Sequence, residues 1–144
     1  MATGTPINVL IVEDNPGDVE LAKEALRETT LPLNVSVAGD GEEALALMQR
    51  DDVPAPDLVL LDLNMPRKSG HEVLEEMKAD ASLRLIPVVI FTSSSAREDI
   101  DGAYERHANC YITKPADLDE LMGVVRAIEA FWLTVVRLPR RVIL

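Results

Sequence analysis

Short apolar runs, rich in β-branched residues, alternate along the chain with segments whose apolar residues recur every three or four positions. The runs predict five β-strands, at residues 7–12, 34–37, 57–62, 87–91 and 110–112. The periodic segments predict helices at about residues 19–28, 41–48, 70–79, 96–107 and 117–136, and Asp18 is the expected cap of the first. Strands that alternate with helices require crossover connections, so we expect an α/β fold with a doubly wound, five-stranded parallel sheet of the flavodoxin type.

The composition fits one domain. With 144 residues, 47% of them hydrophobic, the chain can bury one full core but has little room for a second. We assign residues 1–136 to this domain and residues 137–144 to a C-terminal tail. The N-terminus lacks the features of a signal peptide, and no uncharged apolar stretch of 18 residues occurs. Neither export nor membrane insertion is therefore predicted.

Charge and cysteine usage narrow the expected partners and location. The net charge of -11 would repel a phosphate backbone, and no basic stripe offsets it, which argues against direct binding of nucleic acid. Cys110 is the single cysteine, so an internal disulfide is excluded and a reducing, cytoplasmic compartment is indicated. Its apolar surroundings in the sequence predict a buried thiol.

Polar residues follow four of the five predicted strands at the point where each strand ends. Asp62 ends the third strand, Glu13 and Asp14 follow the first, Thr92 follows the fourth and Lys114 follows the fifth. Open α/β sheets build their sites at the carboxyl ends of the strands. We therefore expect three carboxylates, a hydroxyl and an ammonium to converge at one edge.

Such a cluster has a specific chemistry. Unit charges about 4 Å apart repel by roughly 4 kcal/mol at an effective dielectric near 20, so Glu13, Asp14 and Asp62 need compensation. Lys114 supplies one positive charge, and a divalent cation that prefers oxygen ligands, with Mg²⁺ as the natural choice, would supply more. Asp62 could then attack phosphorus as a nucleophile while Lys114 and Thr92 stabilise the phosphoryl oxygens.

Each residue also has a structural interpretation. Acidic residues favour the positive end of a helix dipole, which would explain Glu13 and Asp14 without a site. Thr92 could belong to a turn, and Lys114 could be a solvated loop lysine. His71 and His107 are interpreted as surface or structural histidines, and we assign them no role.

The chain resembles the receiver domains of bacterial response regulators from about residue 7 to residue 136. The resemblance rests on the acidic pair Glu13-Asp14, on Asp62 in the run Leu-Asp-Leu-Asn-Met-Pro, on Thr92, on Tyr111 and on the Lys-Pro pair at 114–115. It implies that Asp62 accepts a phosphoryl group from a histidine kinase. A receiver of this kind catalyses only its own phosphorylation and dephosphorylation.

The same resemblance assigns the individual residues. Asp14, Asp62 and the backbone carbonyl of Asn64 would hold Mg²⁺, with Glu13 acting through a water molecule because its arm is longer than that of Asp. Thr92 and Tyr111 match the family's switch pair, and Lys114 matches its phosphate-binding lysine. The family also implies a cis peptide bond between Lys114 and Pro115.

Two segments resemble a narrower group. Residues 108–115 and 131–139 are similar to single-domain regulators that are partnered with phytochrome-type light-sensing kinases. The resemblance implies a kinase of that type as the partner and, because no effector domain follows, an output through contact with another protein or onward phosphoryl transfer.

Two other functions remain open at this stage. A phosphatase of the haloacid dehalogenase type also uses an Asp nucleophile at a strand end, but it needs an acid two residues later, where this chain has Asn64. A degenerate or flavodoxin-like receiver could act only as a binding module, with the Thr/Ser-rich loop after the fourth strand holding an FMN phosphate.

The final helix carries more apolar surface than one core contact needs. Its inward stripe is predicted to be Leu118, Leu121, Val125, Ile128, Trp132 and Val135. Val124 and Phe131 lie beside this stripe and widen the apolar arc to roughly 200°. We therefore predict a homodimer through this helix, and the alternative is a tail that folds back over it with Leu138, Val142, Ile143 and Leu144.

Overall fold

Five parallel strands form one sheet, in the order β2-β1-β3-β4-β5. The computed structural model describes residues 6–139. The strands are β1 (Ile7–Val12), β2 (Leu33–Ala38), β3 (Leu58–Leu61), β4 (Val88–Thr92) and β5 (Cys110–Thr113). The helices are α1 (Pro16–Leu26), α2 (Gly41–Met48), α3 (Gly70–Ala79), α4 (Arg97–Glu105) and α5 (Leu118–Ile128), and a π-helical segment, Glu129–Val135, continues α5. The predicted α/β fold and doubly wound parallel sheet are confirmed.

The sheet separates two apolar cores. Alternate side chains of β1 point to opposite faces, so Leu10 and Val12 join one core whereas Val9 and Ile11 join the other. The central strands β3 and β4 are buried along their whole length, as expected for strands covered by helices on both faces. None of the helices within residues 6–139 has the length and apolarity needed to cross a membrane.

Helix α1 begins earlier than the sequence pattern predicts. Asp18 was expected to cap a helix starting at residue 19, but α1 starts at Pro16, and the Asn15 side chain accepts the backbone N–H of Asp18 at 3.1 Å. Proline suits the first turn because its φ is already helical and its missing N–H would have no helical partner there. Asp18 is thus the third residue of the helix, and its carboxylate is not the cap.

The peptide bond before Pro115 is trans, so the expected cis bond is wrong; no cis bond occurs in the described residues. Trans is favoured for such a bond by about 0.5–1 kcal/mol. In this conformation the backbone N–H of Lys114 donates to the carbonyl oxygen of Thr92 at 2.7 Å, which extends the pairing between β4 and β5 by one residue.

The final helix is continuous to Val135, but its inward stripe differs from the prediction. Leu118 and Val135 are 64% and 68% exposed, whereas Leu133, which was not in the stripe, is buried. The π-helical segment explains the change after Ile128, because its hydrogen bonds join residues five apart. After Ile128, Leu133 is therefore buried in the core, and Trp132 packs against the same core with its side chain partly buried.

Two smaller expectations have mixed outcomes. Cys110 is half-buried, and this burial raises the pKa of its thiol. Leu138 packs against the core on the α1–α5 side of the sheet, as the folded-back tail requires. The other three tail residues of that alternative, at positions 142–144, lie outside the described residues.

Candidate functional site

Strand pairing brings the predicted carboxylates together. Val12 of β1 is in register with Leu61 of β3, so Glu13 and Asp62 emerge side by side where the two strands end. The structure places Asp14 next to them, and one carboxylate oxygen of each residue lies within 4.8 Å of the others. Glu13 and Asp62 are buried, whereas Asp14 is exposed.

This donor set suits a divalent cation. Mg²⁺ and Ca²⁺ bind carboxylate oxygens at about 2.0–2.6 Å, so a cation between these three carboxylates would need only small side-chain adjustments. The raised pKa of Glu13 also favours a bound cation. Burial, with the neighbouring charge of Asp62 adding to it, raises the pKa of Glu13 to about 7 despite its hydrogen bond with Lys114. A cation would lower the cost of keeping these groups ionised.

Lys114 reaches the cluster from the end of β5. Its ammonium donates to a Glu13 carboxylate oxygen and to Asp18 Oδ2 at 2.9 Å, and it lies 3.6 Å from Asp62 Oδ2. The side chain is only 7% exposed. Burial alone would lower the pKa of Lys114, but the hydrogen bonds with Glu13 and Asp18 hold it above its ordinary value. The lysine is therefore a buried cation, and the interpretation as a solvated loop lysine is wrong.

Thr92 ends β4 with a fully buried side chain. Among the described residues, its hydroxyl has no hydrogen-bond partner. A buried hydroxyl without a partner costs about 1–3 kcal/mol, so such groups in native proteins call for an explanation. A phosphoryl oxygen bound at the neighbouring strand end would be a suitable acceptor.

Tyr111 is tied to the loop between β4 and α4. Its hydroxyl donates to the carbonyl oxygen of Ser94 at 2.8 Å, and its backbone N–H donates to the Tyr104 hydroxyl at 3.1 Å. Tyr111 is therefore hydrogen-bonded to the loop that follows Thr92, and not to Thr92 itself. Any movement of the loop would change the environment of Tyr111.

The loop between β3 and α3 is held close to Asp62. The backbone N–H of Asn64 lies 3.4 Å from Asp62 Oδ1. Gly70 is required at the start of α3, because a Cβ there would lie 2.3 Å from the carbonyl oxygen of Asp62. Arg67 adopts a left-handed backbone with φ of 66°, and its guanidinium contacts the Asp40 carboxylate at 2.5 and 3.0 Å. This ion pair ties the loop to the start of α2.

The sequence did not identify every residue that contacts the site. Asp18 was taken for a helix cap, although Asn15 followed by proline is the stronger start signal. His71 Nε2 lies 3.4 Å from Asp99 Oδ1 on α4. His107 follows α4 and adopts a left-handed backbone with φ of 69°. Among the hydrogen bonds and ion pairs of residues 6–139, neither histidine reaches the carboxylate cluster.

Comparisons with known proteins agree with this arrangement. A family model described as response regulator receiver domain matches residues 9–126. The response regulator Rcp1 of Synechocystis sp. is 42% identical over 138 residues, which cover 93% of this chain and 94% of the relative. The crystal structure of the phosphorylated cyanobacterial phytochrome response regulator RcpA is 44% identical with a TM-score of 0.92, covering 94% of this chain and 100% of that one. The Mn²⁺-bound form of Rcp1 is 42% identical with a TM-score of 0.91, at 94% and 100% coverage.

Proposed function

The chain belongs to the response regulator receiver family, and we propose that Asp62 accepts a phosphoryl group from a sensor histidine kinase of the phytochrome type. The observation that carries the proposal is the position of Asp62, buried between two other carboxylates and 3.6 Å from the Lys114 ammonium. The similarity to RcpA, a phytochrome response regulator, supports the choice of kinase. Family membership argues against the phosphatase and flavodoxin-like alternatives.

Asp62 acts as the nucleophile in this proposal. One of its carboxylate oxygens forms a bond to phosphorus as the bond from phosphorus to the donor's imidazole nitrogen breaks. That nitrogen keeps the electron pair, and because the other ring nitrogen of the donor carries a proton, the ring leaves as neutral imidazole. Lys114 donates to the phosphoryl oxygens, and the Thr92 hydroxyl gives them its free hydrogen bond. The protein catalyses only this transfer and the later hydrolysis of its own aspartyl phosphate.

We assign the metal site to Asp14, Asp62 and the backbone carbonyl of Asn64, with Glu13 acting through water. Mg²⁺ is the proposed ion, and when bound it neutralises charge on the phosphoryl oxygens. The similar protein Rcp1 has been solved in a Mn²⁺-bound form, which supports a divalent cation at this position.

Thr92 and Tyr111 form the proposed switch. When a phosphoryl oxygen engages the Thr92 hydroxyl, the loop between β4 and α4 moves toward Asp62. Because the Tyr111 hydroxyl is bonded to the Ser94 carbonyl in that loop, the ring moves with it. The surface formed by α4, β5 and α5 then changes, and this surface carries the output to a protein partner. With a net charge of -11, we do not expect that partner to be a nucleic acid.

We propose residues 1–136 as the receiver domain and residues 137–144 as its tail.

We also propose a cytoplasmic location. The chain has a single cysteine, Cys110, so it can form no internal disulfide, which is typical of proteins in a reducing compartment.

Phosphorylation of Asp62 is tested directly by mass spectrometry. The protein is incubated with Mg²⁺ and acetyl phosphate, and we expect a gain of one phosphoryl group that Asp62→Asn abolishes. Asp51→Asn removes an exposed carboxylate outside the site and serves as the control. If Asp62→Asn gains the same mass to the same extent, the assignment is wrong.

Transfer from a phosphorylated phytochrome-type kinase, compared with an unrelated histidine kinase, tests the choice of partner.

A homodimer through the final helix is also proposed. Phe131 and Val135, which follow α5 in the π-helical segment, are 53% and 68% exposed, and Leu118 at the start of α5 is 64% exposed. Exposed apolar side chains on a helix whose other face is packed favour association, and identical chains present identical patches to each other.

The dimer is tested by light scattering at about tens of micromolar, where we expect the unmodified protein to be dimeric. Phe131→Asp with Val135→Asp should give a monomer, because the charges would face an apolar partner. Leu85→Asp changes a side chain that is 70% exposed away from this helix and is the matched control. A monomeric unmodified protein, with or without phosphorylation, would exclude the dimer.

A further inference from the structure

We propose that Asp18 is a positioning residue for Lys114, which holds the ammonium toward α1 in the resting protein and releases it when Asp62 is phosphorylated. The inference rests on the proposed function of Asp62 and adds a residue to it. Its basis is the 2.9 Å hydrogen bond from Lys114 Nζ to Asp18 Oδ2, which joins the end of β5 to the first turn of α1.

The Asp18 carboxylate has no capping role that would explain its position. An acidic residue at the third position of a helix commonly accepts the backbone N–H of the cap residue. Here that N–H, from Asn15, lies 3.2 Å from Glu13 Oε2. The Asp18 side chain turns to Lys114 instead, and it stays 28% exposed on that side of the cluster.

The ammonium of Lys114 has three protons and three neighbouring carboxylates. Two protons are engaged by Glu13 and Asp18, whereas Asp62 at 3.6 Å lies beyond hydrogen-bond range. Of the three carboxylates, that of Asp62, which is to carry the phosphoryl group, thus makes the weakest contact with the Lys114 ammonium. One proton remains for a phosphoryl oxygen on Asp62, and movement of the ammonium toward Asp62 to donate it lengthens one of the other two contacts.

Asp18 is the contact that can be given up at the lower cost. Its side chain is 28% exposed, so water can replace the lysine. The Glu13 side chain is 6% exposed, and loss of Lys114 would leave a buried carboxylate without its cation. The negative charge of Asp18 also opposes the approach of a phosphoryl dianion. Both effects slow phosphorylation, so removal of the charge should accelerate it.

The test compares Asp18→Asn with the unmodified protein at saturating Mg²⁺ and acetyl phosphate. A partly exposed ion pair of this kind predicts a rate about fivefold higher in Asp18→Asn. Asp18→Glu keeps the charge, so its rate should stay within about twofold of that of the unmodified protein. Glu20→Gln removes an equal charge from an exposed position of α1 away from Lys114, and it should leave the rate unchanged.

A second measurement needs no metal and no phosphoryl donor. The ¹⁵Nζ resonance of Lys114 in the metal-free protein should shift in Asp18→Asn, because a hydrogen bond to a carboxylate is lost, and should stay in place in Glu20→Gln. Circular dichroism checks folding of the variants, with Asp18→Ala as the second neutral variant.

The outcomes separate this inference from the function on which it rests. An unchanged or lower rate in Asp18→Asn, an equal acceleration in Glu20→Gln, or an unmoved Lys114 resonance would each overturn the role of Asp18 while phosphorylation of Asp62 stands. If both neutral variants fail to fold, the carboxylate is structural and the inference is wrong. If the unmodified protein gains no phosphoryl group, both proposals fall together.

Discussion

The first turns of α1 and α3 start from the same local pattern and use it differently. In α3 the Ser69 side chain accepts the N–H of Glu72, and the Glu72 carboxylate accepts the N–H of Ser69 at 3.0 Å, which closes a capping box. In α1 the Asn15 side chain accepts the N–H of Asp18, but the Asp18 carboxylate bonds to Lys114. The capping box of α3 is formed by residues no more than three positions apart, whereas the acidic residue of α1 bonds to Lys114, which directly follows β5.

The difference arises from what surrounds each helix start. At α1 the Glu13 carboxylate already meets the N–H of Asn15, so Asp18 is not needed there. The Asp18 carboxylate instead accepts a hydrogen bond from the ammonium of Lys114 at the end of β5. A helix start next to a strand end can therefore become part of a site without losing its cap. Three experiments, in order of decreasing expected effect, test this distinction.

Lys114→Ala removes the partner that distinguishes α1 from α3. We expect phosphorylation by acetyl phosphate to slow by about 100-fold or more, because a preorganised donor to the phosphoryl oxygens is lost. Mg²⁺ affinity, measured by calorimetry, should stay the same or rise, since the ammonium no longer competes for the carboxylates. Lys23→Ala, which changes a partly exposed lysine of α1 that pairs with Glu20, is the control. Weaker Mg²⁺ binding with an unchanged transfer rate would contradict this account.

Asn15→Ala and Ser69→Ala break the two caps separately. Each should lower the free energy of unfolding by about 1 kcal/mol, measured by urea denaturation, because one backbone N–H loses its acceptor. Only Asn15→Ala should also change phosphorylation. Fraying of the first turn of α1 loosens Asp18 from Lys114, so the rate should rise, but by less than in Asp18→Asn. Equal phosphorylation rates in the two cap variants would remove the functional difference between the helix starts.

The smallest expected effect is the pH response of the capping box in α3. The backbone N–H of Ser69 holds the pKa of Glu72 below its ordinary value. A lowered folded pKa means that the ionised carboxylate contributes stability above about pH 4.5, and that this contribution is lost as the pH falls through the folded pKa. Glu72→Gln keeps a capping side chain that does not titrate. The stability difference between the two proteins should therefore shrink as the pH falls below about 4.5, and a constant difference would refute the assignment.

Much of the site was predictable because strand ends are visible in the sequence. A buried strand is an apolar run, and parallel strands bring their carboxyl ends to one edge, so Glu13, Asp14, Asp62, Thr92 and Lys114 could be placed near each other in advance. The prediction did not need the strand order. It needed only that each run stop at a polar residue and that a helix follow.

The order and register of the strands were decided by the tertiary structure. That β1 lies beside β3, with Val12 opposite Leu61, is what sets the carboxylates of Glu13 and Asp62 side by side. The contact between Asp18 and Lys114 joins residues 96 positions apart. Local propensity carries no information about such a pair, because either residue alone is more commonly a solvated surface charge.

The final helix shows the same limit within one element. Its sequence determined that a helix runs to Val135 and that one side is apolar, since hydrophobic periodicity reports burial directly. Which side chains turn inward after Ile128 was decided by the π-helical segment, which buries Leu133 and leaves Val135 exposed. A fixed period of 3.6 residues cannot predict a local change of period. The sequence by itself thus determined the elements and the chemistry at their ends, whereas the phase of the last turns and the partners of each charge depended on the assembled fold.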